Sequence, residues 1–475
     1  MTLAKIIVNF DDYQLGLAPA ITDAHAKIGV AADGPFTPQR LTRGTQAAEL
    51  YRGGPLAGAA AVALMQTSPV VAVRVPATTA GTLTSVTRAG TTGTSIPAVA
   101  GPPNDAYAFS IAVTRSGTVA AGDAAVEVSV NGQAGSERAV PAGGVLAISG
   151  TDVTATFAAG TLVAGETYAF SSAAPTATVA DIATTLEDLL STRPDLRYVH
   201  VLGSTTPALA AAVDAILTER ATRNHYLHAI LEARPMATGE TASTYLAAIE
   251  AQFAAFASTR VGIALDGGEV YNPLTRQLEY RNSAWKLTGQ RATRPIGEAA
   301  YRVRTGPVPA MGGLRFDANL VGTSGRFAAL RTFDGREGVY VANWPTMAPS
   351  GSDYGEVQRR EVIDRAAAIG FISAMDYLGA DIPVDITTGR VLETAAAAFD
   401  TFVEGRVRAG LGANASGVRV RMDREENILS TEHLRFTLSV IPLGYAHRIT
   451  VNVGFLNPLL AAQAAAAPAA TEGDS

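Results

Sequence analysis

Two runs near the end of the chain carry its clearest pattern. In residues 434–441, Leu434, Phe436, Leu438 and Val440 alternate with Arg435, Thr437 and Ser439. In residues 448–455, Ile449, Val451, Val453 and Phe455 alternate with Arg448, Thr450 and Asn452. Pro442-Leu443-Gly444 lies between them. Apolar residues at every second position, bounded by Pro and Gly, predict two half-buried strands. Only Leu456-Asn457-Pro458 and an Ala-rich tail follow, and the tail is expected to be disordered. A strand at a chain end pairs with a neighbouring chain as readily as with its own sheet, so this pair is expected to join copies of the protein.

Upstream, residues 4–10 (AKIIVNF) read as a short apolar strand or arm, free to dock on the body or on another subunit. Short strands are expected over 26–32 and 70–75, with helices over 46–51 (Thr45 as cap) and 56–65 between them. At Pro76 the composition changes. Residues 77–175 are dominated by Thr, Ala, Gly, Val and Ser, with brief alternating runs and an Asn131-Gly132 hairpin signal. Helix signals stop where this stretch begins and resume where it ends, which predicts an inserted β-sandwich.

From 179 onward helices (180–191, capped by Thr178; 207–224; 241–257) alternate with apolar strands (197–202, 227–232, 261–265). That order argues for a three-layer α/β unit with a mainly parallel sheet. A hairpin over 269–285, paired strands over 327–331 and 339–343, long helices over 356–378 and 388–409, and a strand over 417–422 complete the reading. The fold class expected is an α/β core built from both chain ends, a mixed sheet flanked by helices, with an inserted all-β sandwich-like domain and extended terminal strands. The divisions are 1–20 (arm), 21–76 (first part of the core), 77–175 (insertion), 176–345 (α/β middle), 346–458 (C-terminal core) and 459–475 (tail).

Composition narrows the function. At 475 residues, 47% hydrophobic and 17% charged, the chain has enough apolar surface for several cores. A net charge of -6 gives no electrostatic case for nucleic acid or for an anionic membrane. The absence of cysteine excludes disulfides, thiolate catalysis and Cys-ligated metals. No signal peptide or apolar membrane span is legible, so the expectation is a soluble protein made in the cytoplasm.

Chemical motifs are thin. His225, His228 and Glu232 do not form an HExxH arrangement and read as surface or structural residues. Gly410-Leu411-Gly412-Ala413-Asn414-Ala415 matches GxGxxA, but a helix precedes it and a strand follows, the reverse of a dinucleotide site; it reads as a helix stop. There is no phosphate-binding loop and no nucleophile elbow. No catalytic residue, metal or cofactor is assigned. Glu356, Arg359, Arg360, Glu361, Asp364 and Arg365 alternate in sign along one helix. Such a run is a solvated face with i,i+4 pairs or a charge patch between subunits.

In order, the chain carries GVAADGP (29–35), TRGTQA (42–47), YRGGP (51–55), PNDAYAFSIAVTRSG (103–117), RTFDGREGVYVANWPTMAP (331–349), a long charged helix, and FTLSVIPLGYAHRITVNVGF (436–455). In this arrangement it resembles the contractile tail sheath proteins of phages. The resemblance spans most of the chain and is weakest in the insertion. It implies a structural subunit, not an enzyme, that forms stacked hexameric rings around a tail tube and contracts to drive the tube through an envelope. It implies as partners other copies of the chain, the tail tube protein, and baseplate and tail terminator proteins, with assembly in a host cytoplasm into the virion tail. It does not separate a phage from a phage-derived injection particle.

On this reading Ile6, Ile7, Val8 and Phe10 of the arm, with Phe436, Leu438, Val440, Ile449, Val451, Val453 and Phe455, make the intersubunit strand contacts. The competing readings are another phage tail component and a hydrolase-like enzyme with an accessory β-sandwich. The strand–helix alternation over 179–265 counts against the first, and the lack of a catalytic motif counts against the second.

Overall fold

The structure, a computed structural model, describes residues 24–90, 92–321, 325–451 and 453. The chain divides into two compact units, Met1–Pro442 and Leu443–Ser475.

The first unit is organised by a six-stranded sheet in the order Val261–Ala264, His228–Glu232, Tyr198–Ser204, His25–Gly29, Val70–Arg74, Gln39–Leu41. All neighbours run parallel except the last pair. The continuous apolar runs explain the burial, because a parallel sheet is covered on both faces and has no solvent side for polar residues. Ala26, Ile28, Val71, Val73, Val199, Val201, Ala229, Leu231, Val261 and Ile263 share one core with helices Val179–Thr192, Pro207–Thr222 and Ala242–Gln252.

Those helices start where the sequence supplies caps. Thr178 accepts from the Asp181 N–H at 3.2 Å while the Asp181 carboxylate accepts from the Thr178 N–H at 3.3 Å, a reciprocal capping box. Thr206 caps the next helix, with Pro207 in its first turn, where a missing N–H costs nothing. On the other face lie the Ala-rich helix Pro55–Leu64 and helix Ala284–Ala292; every residue from Ala284 to Arg291 is buried. This helix, Ala284–Ala292, begins inside the stretch 269–285 whose composition suggests a hairpin. The hairpin closes earlier, as Gly268–Asn272 paired with Gln277–Arg281.

Strands between Thr82 and Ala173 pair only with one another. Two antiparallel sheets share a core that includes Phe109, Ile111, Val126, Val128, Phe157, Tyr168 and Phe170. Asn131 (φ 52°) and Gly132 (φ 82°) form the tight turn between Ala125–Val130 and Gln133–Ala139; positive φ at both positions is what Asn-Gly tolerates. Bidentate hydrogen bonds from Arg281 to Asp105, at 2.9 and 2.6 Å, tie this part to the hairpin of the α/β part.

Near the end of the first unit, helices Val357–Met375 and Glu393–Leu411 pack against an antiparallel pair, Gly417–Met422 with Phe436–Ile441. Among the described residues of the second unit, Leu443–Val451 and Val453 form no strand or helix.

Candidate assembly surface

The strand Phe436–Ile441 is a product of its alternation. Phe436, Leu438 and Val440 face the helices: the Phe436 ring meets Phe399 at 5.2 Å, and Leu438 Cδ2 sits over Gly370. A Cβ at Gly370 would lie 3.1 Å from that methyl, so the helix admits the strand because its surface is bare there. Opposite them, Val418, Val420 and Met422 of the partner strand are buried, and Arg419 and Arg421 are exposed. Among the described residues the pair stands as a two-stranded sheet of its own. Phe436, Leu438 and Val440, expected to reach another subunit, direct their side chains into the chain's own core; Thr437, Ser439 and Ile441 make the exposed outer face.

The second alternating run behaves differently. Ile449, Val451 and Val453 lie outside any strand and are 81%, 74% and 91% exposed. The expected half-buried strand is absent from the described residues of this run. Strand hydrogen bonds need a partner edge, and among the described residues none is paired with it. Ile6, Ile7, Val8, Phe10 and Phe455 lie outside the described residues. Within the first unit a further apolar strip is exposed along the helix Val357–Met375 and its end: Phe371 (40%), Met375 (52%) and Leu378 (65%), spaced one turn apart.

The charged half of that helix corrects the sequence reading. Arg360, Glu361 and Asp364 are buried, so they form neither a solvated face nor a patch that another subunit can meet. The helix crosses the amino ends of the parallel strands. Arg197, just before Tyr198–Ser204, donates to Glu361 at 2.6 Å, and Arg291 also binds Glu361. His228, at the start of its strand, lies 3.6 Å from the same carboxylate. Arg260, just before Val261–Ala264, reaches Asp364 at 3.3 Å, and Arg360 closes on it from one turn away.

Burial alone would push the Glu361 carboxyl up; Arg197, Arg291 and His228 more than reverse this and hold it at about 2. Burial pushes the Asp364 carboxyl above its usual value, with Arg360 and Arg260 opposing. Burial also holds the His228 ring at about 3, the Glu361 charge opposing. Glu356, Arg359 and Arg365 remain half-buried on the helix surface, with Arg359 3.7 Å from Glu356. The partners were not assigned from sequence, though a signal existed: Arg197, His228 and Arg260 sit at the starts of otherwise apolar strands, where an ionisable residue needs a counter-charge.

No helix of the described residues is long and apolar enough to cross a membrane. Among them, no group of His, Asp and Glu has the arrangement to hold a metal ion. The GxGxxA stretch ends the helix Glu393–Leu411 and continues into a short 3-10 turn, Gly412–Asn414.

The family described as DUF2586, N-terminal domain, matches residues 3–344. No curated relative matches the chain in sequence. Among solved structures, the helical sheath of the anti-feeding prophage in its contracted state aligns over 96% of this chain and 99% of its own, at 9% identity and a TM-score of 0.51. The sheath of the PVC extracellular contractile injection system, also contracted, aligns over 96% and 98%, at 10% identity and 0.51. A sheath tail protein from Desulfitobacterium hafniense aligns over 92% and 100%, at 13% identity and 0.44. The chain belongs to the DUF2586 family, and its fold is that of the sheath proteins of contractile injection systems.

Proposed function

We propose that the protein is the structural subunit of a contractile tail sheath. It polymerises as stacked hexameric rings around a tail tube and shortens to drive the tube through a target envelope. The observation that carries this reading is the exposed Ile449-Val451-Val453 row, an apolar strand pattern without a sheet of its own among the described residues. Strand addition to a neighbour satisfies it, through main-chain bonds that need little side-chain complementarity. The fold shared with two helical sheaths supports it.

In this account Ile449, Val451, Val453 and Phe455 complete a sheet on the next subunit, and Ile6, Ile7, Val8 and Phe10 of the arm do the same from the other end. Phe436–Ile441 offers its open edge. Head-to-tail addition is heterologous, so it extends into a lattice instead of closing as a dimer. Residues 442–444 serve as the flexible link that absorbs rotation between extended and contracted packings. The partners are other copies of the chain, the tail tube, the baseplate and a terminator, in a tail assembled in a host cytoplasm. The divisions at 77 and 175 make residues 77–175 a separate domain carried by the assembling body.

Negative-stain electron microscopy of the purified full-length chain over a range of concentration and salt tests the proposal. Hollow tubes with a helical surface lattice are expected. A uniform field of small particles, unchanged by concentration, would overturn it.

A further inference from the structure

Opposite the edge that Glu361 covers, the carboxyl ends of the parallel strands open onto a cleft of about 580 Å³. Gly203, Ser204, Glu232 and Asp266 line its floor; Asp105, Tyr107 and Ser172 of the β-rich insertion close it from the other side. The cleft lies beside the point where the strand order reverses, between His25–Gly29 and Tyr198–Ser204.

Three ionisable side chains run inward from this floor. Glu232 Oε1 is 2.9 Å from His200 Nε2, and His200 Nδ1 is 2.9 Å from Lys27 Nζ. Lys27 also donates to Thr288 Oγ1 at 2.8 Å, and Thr288 donates to the Ala284 carbonyl, so the row ends on helix Ala284–Ala292. Lys27 and His200 are 0% exposed and Glu232 is 7%. A ring between an amine and a carboxyl has two consistent states. In one, the Lys27 ammonium donates to Nδ1 and Nε2–H donates to the Glu232 carboxylate. In the other, Nδ1–H donates to a neutral amine and the Glu232 carboxylic acid donates to Nε2. Passing between them breaks Lys27 N–H and His200 Nε2–H, forms His200 Nδ1–H and Glu232 O–H, and leaves the total charge unchanged.

We propose that Lys27, His200 and Glu232 share one proton in this way, and that its position reports whether the insertion is docked on the α/β part. The reporter at the docking contact is Arg281. It holds Asp105 of the insertion bidentately, binds Glu279 at 2.8 Å, stacks 4.6 Å over Trp285 and acts electrostatically on Glu232. When Asp105 is in place it cancels part of the Arg281 charge and the proton moves toward Glu232. When Asp105 leaves, the field at Glu232 becomes more positive, the carboxylate is favoured, and Lys27 becomes an ammonium held on Thr288.

The surroundings keep the two states close. Burial lowers Lys27 to about 7, with Glu232 opposing. Burial raises Glu232 to about 7, with the Gly203 N–H, Lys27, Arg281 and the Trp285 indole opposing. Burial and Lys27 hold the His200 ring neutral. The other charged or titratable groups facing the row are Asp266 beside Glu232 and His25 beside Lys27 and His200; Glu269, Glu279 and Arg315 line the cleft. A change of one pKa unit in the balance between the ends moves the tautomer ratio about tenfold.

Histidine-ring 15N spectra of the full-length chain at neutral pH read the tautomer of His200 directly. Asp105→Asn and Arg281→Gln both weaken docking of the insertion, so loosening alone moves His200 the same way in both. The relay predicts opposite shifts: Asp105→Asn enriches the Nε2–H tautomer and Arg281→Gln the Nδ1–H tautomer, each several-fold. Should Arg281→Gln fail to fold, Arg315→Gln, an exposed cleft residue outside the docking contact, carries the same sign. A His200 imidazolium, shifts in one common direction, or no shift in either variant would overturn the proposal.

Discussion

Glu361 and Arg197 are 164 positions apart and meet at 2.6 Å with their side chains 2% and 3% exposed. Their pairing fastens the long C-terminal helix across the amino ends of the central strands. The C-terminal helix and the α/β sheet are thereby coupled through a charge pair that cannot be reached from solvent.

Glu361→Gln takes from the buried Arg197 and Arg291 the carboxylate charge they share. Removing one partner of a buried pair costs about 3–5 kcal/mol, so a large drop in the denaturation midpoint is expected. Arg406→Gln serves as the comparison. It breaks the ion pair with Asp376, in which the side chains are 45% and 55% exposed, and is expected to cost less than about 1 kcal/mol. Equal losses in the two variants would deny Glu361 its anchoring role.

Acid acts on the same network, and the sign follows from the directions of the shifts. Glu361 sits at about 2, below its ordinary 4.5, so its contribution is full above 4.5 and is lost as pH falls toward 2. His228 is held at about 3, below 6.5, so the unfolded chain takes up its proton first and stability falls as pH drops through the window from 6.5 to 3. Thermal melts from pH 7 downward are expected to lose midpoint progressively, beginning near 6.5.

His25 offers a way to remove part of that sensitivity. Its ring is buried and stacked on Tyr198 at 5.0 Å, and neither nitrogen has a hydrogen-bond partner among the described residues. Burial, with Lys27, His200 and Arg197, holds it well below 6.5. His25→Phe keeps the stacked ring and removes the unpaired nitrogens, a gain of about 1–2 kcal/mol. A higher melting point with a shallower fall below pH 6.5 is expected; a lower melting point at pH 7 would show that the nitrogens are needed.

Replacing Val451 and Val453 with Pro removes two strand donors from residues that are exposed in the single chain. The melting point is expected to stay within about 0.5 kcal/mol of wild type, since nothing buried is lost. Polymerisation, followed by light scattering and electron microscopy, is expected to fail, as is that of a chain ending at Gly444. Tubes from either variant would remove the terminal strand from the account. Leu438→Ala, on the inward row, has the opposite profile, with a loss of about 2 kcal/mol in the single chain.

Deleting residues 77–175 and joining the flanks tests the insertion boundary. Thr79 and Thr176 already pair across its base, and its core is separate from that of the central sheet. Circular dichroism is expected to show a cooperatively folded remainder, since Arg281 keeps Glu279 as a partner. Loss of cooperative unfolding would place structural weight on the insertion.

The periodic elements of this protein were legible in its residues. Apolar runs placed the parallel strands of the central sheet, and Thr178 marked a helix start through its own backbone bond. Gly417–Met422 and the long helix Val357–Met375 follow from spacing and local propensity, which act within a few residues. What the sequence could not display is which charges go inside. Glu356 to Arg365 carries a surface-like alternation, yet Glu361 and Asp364 are buried because Arg197, Arg260 and Arg291 arrive from other parts of the chain. The same holds for Lys27, His200 and Glu232, three residues of separate apolar strands whose side chains touch only once the sheet is assembled. Alternation, capping and turn chemistry are local and survive in the linear sequence. The pairing of a buried charge is a property of distance in space, so tertiary structure alone decided it.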